Sequence, residues 1–352
     1  MPSAPHPDTY KAYAFLEKGG DLKPIDVTWR DPQSGEIVVK VLACGVCARH
    51  HRFTQIACMY SDELTKWQVF PFVTFPRVPG HEIIGDVVAI PETEKIWKVG
   101  QRVGAGWHGG HCSTCSGCRA GNFSLCVQKS ISGLVTDGGY AEYVTLRTEA
   151  VASVPDDIDP AEVAPLMCAG VSVYTALRDM NAHAPDVIGI HGMGGLGHLA
   201  VQFAKAMGFR PVVLSSTSEK EELAFKFGAY KFLDGSKVNQ AEELAKLGGA
   251  KVILCLAPDD NVVQSLVNGL APGGEFFILA VSQGGTVPLG LFVGKRLNLR
   301  TGGAGTAKEE EETIDFVGAH DIKVLVNKFP LAEAQKAYEH RSAARFRSVI
   351  IP

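Results

Sequence analysis

The chain shows two textures of hydrophobic and polar positions. Up to about residue 155, short valine-bearing runs are broken by glycine and proline. Examples are Glu36-Ile37-Val38-Val39-Lys40-Val41-Leu42, Gly85-Asp86-Val87-Val88-Ala89-Ile90 and Tyr140-Ala141-Glu142-Tyr143-Val144. Such runs, bounded by turn formers, predict a region of many strands. From about 156 to 295, strand-like runs alternate with helical periods. Val187-Ile188-Gly189-Ile190-His191 predicts a strand. Leu196, Leu199, Ala200, Phe203 and Met207 then fall on one helical face, and Gly208 suits the C-terminal cap. Val212-Val213-Leu214 predicts the next strand. Ser218 with Glu221 predicts a capping box for a helix ending near Gly228, and Asn239 with Glu242 another helix start. Lys251 to Leu256 and Glu275 to Ala280 read as further strands. Alternation of this kind predicts a doubly wound parallel sheet covered by helices. After about 295 the chain is expected to return to the first domain, where Phe346 to Ile351 would complete a sheet. The expected division is therefore 1–155 and 296–352 for a β-rich domain, with 156–295 as an inserted α/β domain.

A chain of 352 residues is too long for one comfortable core, which agrees with two domains. Hydrophobic residues make up 46% and charged residues 20%, the balance of an ordinary globular protein. The net charge of -4 gives no electrostatic reason to expect nucleic acid or an anionic membrane as partner. The N-terminal residues lack a charged start followed by an apolar run, and no apolar stretch is long enough to span a bilayer. A cytoplasmic location is expected.

His191-Gly192-Met193-Gly194-Gly195-Leu196-Gly197 follows a predicted strand and opens a predicted helix. Gly192, Gly194 and Gly197 fit the G-x-G-x-x-G pattern: a tight turn, a close backbone approach to a pyrophosphate, and close helix–strand packing. Gly195 and Leu196 belong to the same candidate cofactor loop, whose helix N-terminus offers N–H groups and a positive dipole end to phosphate. The tip of the second strand reads Ser215-Ser216-Thr217-Ser218-Glu219-Lys220, with no carboxylate at the place that would hold the ribose of NAD. Ser215, Ser216 and Lys220 suit a 2′-phosphate, so NADP(H) is expected in preference to NAD(H).

Four of the nine cysteines, Cys112, Cys115, Cys118 and Cys126, have C-x2-C-x2-C-x7-C spacing. Four thiolates this close can make a closed tetrahedral zinc site, which is then structural because no position remains for substrate; an iron–sulfur cluster or scattered thiols are the rival readings.

Three further motifs complete the picture: Cys44-Gly45-Val46-Cys47, Gly80-His81-Glu82 and Pro165-Leu166-Met167-Cys168-Ala169-Gly170. Together with the cysteine quartet and the glycine loop, in this order, the chain resembles the zinc-containing medium-chain alcohol dehydrogenases. The likeness is greatest to the yeast-type and cinnamyl alcohol dehydrogenase branches, with a fungal character. The resemblance implies a GroES-like catalytic domain, built from both chain ends, around an inserted Rossmann domain. It implies two zinc ions per chain, with Cys44, His81 and Cys168 as catalytic ligands and Glu82 as a carboxylate that binds the metal transiently. It places Trp107 on the wall of the substrate pocket and Arg347 on a cofactor phosphate. Two thiolates and an imidazole leave zinc an open Lewis-acid position for the oxygen of an alcohol or carbonyl substrate. On this pattern Cys47 and Cys255 read as packing residues. The resemblance also implies a homodimer or homotetramer, with the strand Leu297 to Arg300 available for edge pairing.

The chain departs from the family in Ala48-Arg49-His50-His51-Arg52. Arg49 stands where relatives carry the Ser or Thr that relays the alcohol proton, and His50 where they carry an aspartate that supports the zinc-bound histidine. His51 is then a candidate proton carrier. The altered relay also raises an alternative, an NADPH-dependent reductase of a conjugated double bond or iminium. The aromatic-rich stretch from Phe53 to Pro79 reads as pocket lining, core or subunit contact.

Overall fold

The computed structural model describes residues 6–47, 62–280, 285–340 and 346–352. The first texture forms strands β1 (Thr9–Phe15), β2 (Leu22–Thr28), β3 (Glu36–Gly45), β4 (Ile83–Ala89), β5 (Arg102–Ala105), β6 (His108–Gly110), β7 (Ser130–Ile131), β8 (Tyr143–Arg147) and β9 (Ala152–Ser153). The second forms β10 (Val187–His191), β11 (Arg210–Ser215), β12 (Lys231–Asp234), β13 (Ala250–Cys255), β14 (Leu270–Ile278) and β15 (Asn298–Thr301). Two strands follow, β16 (Val326–Pro330) and β17 (Arg347–Ile351).

β16, β17, β3, β4, β5 and β9 lie in that order in one sheet, and β8 also pairs with β3. β17 joins β3 antiparallel, Val349 opposite Gly45 and Ile350 opposite Cys44, so the chain's end completes the first domain. β3 pairs on both flanks and is apolar along most of its length, as a central strand must be. Its Val39, Val41 and Cys44 enter a core with Phe15, Ile83, Tyr140 and Tyr338.

The second domain orders its parallel strands β12-β11-β10-β13-β14-β15. The order reverses between β10 and β13, and a ligand crevice opens at such a switch point, beyond the strands' carboxyl ends. The helix Gly197–Ala206 buries Leu199, Ala200 and Phe203 against the sheet, and Gly208 takes φ +85° beyond its end.

Two expectations are corrected. The boundary drawn at 295 falls too early: β15 pairs in parallel with β14 as the sixth strand of the cofactor-type sheet. Its four residues are all exposed, so hydropathy did not tie the strand expected at Leu297 to Arg300 to this sheet. The predicted capping box at Ser218 does not form. Ser218 opens a 3-10 turn (Ser218–Lys220), and its hydroxyl donates instead to the Asp234 carboxylate at the end of β12. Asn239 does cap the helix Gln240–Lys246, its side-chain oxygen accepting from Ala241 N–H and Glu242 N–H. No single helix among the described residues is long and apolar enough to cross a membrane.

Removal of that cap gives a direct check. Asn239→Ala is expected to cost about 1 kcal/mol. It should lower the denaturant midpoint of the parallel-sheet domain without changing the slope. An unchanged midpoint would contradict the assigned cap.

Candidate active site and metal centres

The strand geometry of β3 decides which cysteine reaches the cleft. Cys44 is the penultimate residue of the strand, and its side chain points into the β-domain core. Its Sγ lies 3.6 Å from the Gly45 carbonyl oxygen and takes backbone N–H contacts from Glu82 and Gly139. Cys47 lies just past the strand's end, where the chain turns out of the sheet, and its Sγ comes 3.6 Å from Cys168 Sγ. Cys47, His81, Glu82 and Cys168 each offer a donor atom within 4.8 Å of all the others, and all four are buried. Cys44 is not in this group. The expectation that Cys44 is the ligand and Cys47 a packing residue is therefore corrected. Gly45 separates the two because a Cβ there would stand 1.8 Å from Glu82 Oε2.

The site is tied together by a residue the sequence reading missed. Asp62, 2% exposed, places Oδ1 3.3 Å from His81 Nδ1 and accepts from Gly80 N–H at 3.2 Å. Its Oδ2 accepts from Cys47 N–H at 3.0 Å and from the Tyr140 hydroxyl at 2.7 Å. One carboxylate thus fixes the backbone of Cys47, the backbone of Gly80 just before His81, and the His81 ring. A carboxylate on Nδ1 sets the tautomer that leaves Nε2 with its lone pair. His81 Nε2 is buried and has no hydrogen-bond partner among the described residues, as a nitrogen reserved for a metal would be. The supporting aspartate expected near position 50 is found at Asp62, preceded in sequence by Ser61. The segment Ala48 to Ser61, with Arg49, His50 and His51, lies outside the described residues. The signal available was the pair Ser61-Asp62 itself, displaced downstream from the cysteine motif.

The electrostatics match an ion site. Sharing a hydrogen bond with Cys168, together with burial, pushes the Cys47 thiol well up. Burial pushes Glu82 up too, and the Arg347 guanidinium pulls it back. Burial alone would lower His81, but the adjoining Cys47 and Asp62 raise it well above its ordinary value. Two thiols, an imidazole and a carboxylate in one buried place hold negative charge comfortably only with a cation among them. The soft donor set suits zinc.

Arg347 links this cluster to the glycine loop. Its Nη2 lies 2.9 Å from Glu82 Oε1. A Cβ on Gly195 would stand 3.8 Å from the guanidinium carbon and 3.0 Å from the Phe346 carbonyl. In the loop, Gly192 has φ +94°, and a Cβ on Gly197 would meet the Gly192 carbonyl at 2.1 Å. Gly194 and Leu196 lie in the same turn, at the mouth of the helix Gly197–Ala206. Lys220 reaches back to this loop, its Nζ donating to the Met193 carbonyl at 2.9 Å above the Phe346 ring. Ser215 and Ser216 stand at the tip of β11.

Cys112, Cys115, Cys118 and Cys126 gather with donor atoms within 4.8 Å of one another. Backbone N–H groups of Cys112, Cys115, Cys118 and Gln128 point at their sulfurs over 3.3–3.5 Å. The hydroxyl and N–H of Thr114 pull the Cys112 thiol down to about 5. Trp107 packs edge-on against His81 with ring centroids 5.0 Å apart. It also lines a cavity of about 520 Å³ with Leu125, Ile131, Ile278, Leu279 and Ala304, between the cysteine lobe and the ends of β14 and β15. Cys255 packs in the core of the parallel-sheet domain.

Known proteins share the family domains and the two-domain fold. Residues 33–156 match the family described as alcohol dehydrogenase GroES-like domain, and residues 195–319 match zinc-binding dehydrogenase. The chain is 41% identical over 346 residues to alcohol dehydrogenase patD of Penicillium expansum, covering 98% of each. It superposes on a cinnamyl alcohol dehydrogenase of Sorghum bicolor with TM-score 0.83 and 27% identity, covering 97% of each chain. A zinc-binding dehydrogenase of Sinorhizobium meliloti bound to NADP gives TM-score 0.85 and 25% identity, over 98% of this chain and 99% of that one.

Cys47→Ala is expected to lower the zinc content of the purified protein by one ion per chain, read by elemental analysis. Cys44→Ala is expected to leave it unchanged. The reverse pattern would restore Cys44 as the ligand.

Proposed function

Because the chain belongs to the zinc-containing medium-chain alcohol dehydrogenase family, we propose that it moves a hydride between NADP(H) and an alcohol or aldehyde at the Cys47–His81–Cys168 centre. Membership makes it an oxidoreductase. The finer reading is carried by one observation: the buried donor cluster lies beside the glycine loop, with Arg347 spanning the gap.

In this reading Cys47, His81 and Cys168 would hold the catalytic zinc, which would supply Lewis-acid charge at the substrate oxygen. The glycine loop Gly192 to Gly197, with Arg347 beside it, would hold NADP(H), which would supply or accept the hydride. Asp62 keeps His81 in the ligating tautomer and Cys47 in place. Glu82, balanced by Arg347, is the carboxylate poised beside the ligands. Trp107 and the apolar wall of Ile278 and Leu279 hold the substrate's carbon skeleton and exclude water. The four-cysteine lobe holds a second zinc and acts as a structural staple.

For the cofactor, Lys220 beside the loop and the hydroxyls of Ser215 and Ser216 supply the charge and hydrogen bonds a 2′-phosphate needs. Lys237, whose Nζ lies 2.6 Å from Ser218 Oγ, adds a second cation at the same turn. Asp234 is the nearby carboxylate, and Ser218, Ser236 and Lys237 already engage it. The NADP bound by the Sinorhizobium neighbour is consistent with this preference. Reduction of an activated double bond was raised because Arg49 occupies the relay position. That motive lapses once Asp62 occupies the supporting position, with a serine directly before it. We further propose that two chains pair through the exposed edge of β15 to form the dimer, or half of a tetramer.

The cofactor assignment is tested by steady-state kinetics with both cofactors. NADPH is expected to give the higher kcat/KM. Lys220→Ala is expected to lower that value about 10- to 100-fold, as loss of a charged hydrogen bond does, while leaving NADH nearly untouched. A clear NADH preference, or equal loss with both cofactors, would overturn it.

A further inference from the structure

Residues 309–312 are four consecutive glutamates on the helix Ala307–Ala319. Three of them meet partners near the surface. Glu309 completes a capping box with Thr306 and pairs with Arg178 at 2.9 Å. Glu311 accepts the Ser153 N–H at 2.8 Å, and Glu312 pairs with Arg178 and Lys308. Glu310 turns the other way. It is 1% exposed, its Oε2 has no hydrogen-bond partner, and no cation pairs with it among the described residues.

What surrounds Glu310 is the rear of the metal centre. Its helix packs on the 3-10 turn Ala164–Met167, which leads directly into Cys168. Its carboxyl accepts the backbone N–H of Gly106, the residue before Trp107. A Cβ on Gly106 would stand 2.1 Å from Glu310 Oε1 and 2.3 Å from the Met167 carbonyl oxygen. The carboxyl and that carbonyl therefore crowd one point, and Gly106 is without a side chain because they fill its space. An ionised carboxylate beside a carbonyl dipole, with no paired cation among the described residues, is strongly disfavoured. Burial, reinforced by Glu309 and Glu311, pushes the group well above the usual carboxylate range. A protonated carboxyl offers one O–H donor as well as an acceptor, which is what a facing N–H and a facing carbonyl require.

We propose that Glu310 is a positioning residue for the metal centre, a neutral carboxylic acid contributed by the helix Ala307–Ala319. It accepts from Gly106 N–H and donates to the Met167 carbonyl, so that Trp107 and Cys168 keep their places relative to each other. A ligand and a pocket wall from two chain segments are thereby fixed by a third segment. The inference rests on the metal reading above. If the wild-type protein holds no zinc outside the four-cysteine lobe, both fail; if it holds zinc and Glu310 is indifferent, only this one does.

The test compares Glu310→Gln with Glu310→Leu in the full-length enzyme. The Gln amide reproduces the donor and the acceptor; Leu keeps the bulk without either. Three quantities are read: zinc per chain after dialysis against a mild chelator, the visible spectrum after cobalt substitution, and kcat with KM. Gln is expected to match the wild type in zinc content, spectrum and pH profile. Leu is expected to lose about 10-fold or more in metal retention or kcat, as loss of a residue supporting a ligand does. The loss should fall on the catalytic ion, with the four-cysteine ion kept and the cobalt bands shifted. A Leu variant that only melts earlier, with unaltered spectrum and kcat, would overturn the proposal. So would a folded Gln variant as impaired as Leu, because the charge would then be what matters.

Discussion

The architecture depends on bringing two thiols, an imidazole and a carboxylate together out of water. Each of Cys47, His81, Glu82 and Cys168 is buried, and the Arg347 guanidinium stands beside them, 2.9 Å from Glu82 Oε1. Such a cluster is unfavourable until a metal ion balances it. The surrounding fold reads as the means of enforcing it. Gly45 leaves room for Glu82, Asp62 orients His81 and Cys47 together, and Arg347 offsets the carboxylate from the side of the glycine loop. The chain's last strand is what brings Arg347 there, since β17 pairs with β3 beside Cys44 and Gly45.

The site is also where the domains meet. Cys47, His81 and Asp62 come from the β-rich domain, the glycine loop from the parallel sheet. Cys168 lies at the start of the helix Ala169–Asp179, which packs against both the nucleotide-loop helix and the helix Ala307–Ala319. A shift between the domains would therefore move Cys168 and the cavity wall Ile278–Leu279 relative to His81. Polar groups placed at that seam, Arg347 on one side and Glu310 on the other, keep the two halves of the reaction centre in a single geometry.

Much of this was legible in the sequence. The G-x-G-x-x-G turn, the four-cysteine spacing and the apolar strands are local patterns, and local patterns survive folding. The glycine loop does open a helix, and the four cysteines do converge. What failed were choices that only tertiary structure makes. Cys44 and Cys47 are equivalent on paper; strand alternation and the end of β3 send one into the core and the other to the cleft. Asp62 was overlooked because its role was sought at a fixed distance from the cysteines. Ser218 looked like a helix cap, but the Asp234 carboxylate of the neighbouring strand took its hydroxyl. β15 is exposed along its whole length, so hydropathy could not assign it to the parallel sheet.

The central claim is that one metal ion is held by Cys47, His81 and Cys168. An anomalous difference map at the zinc absorption edge, from crystals of the zinc-loaded protein, tests it most directly. The account predicts two peaks per chain. One should lie among Cys112, Cys115, Cys118 and Cys126, and the other within bonding distance of Cys47 Sγ, His81 Nε2 and Cys168 Sγ. A second peak on Cys44, or no peak outside the four-cysteine lobe in a fully loaded sample, would contradict it.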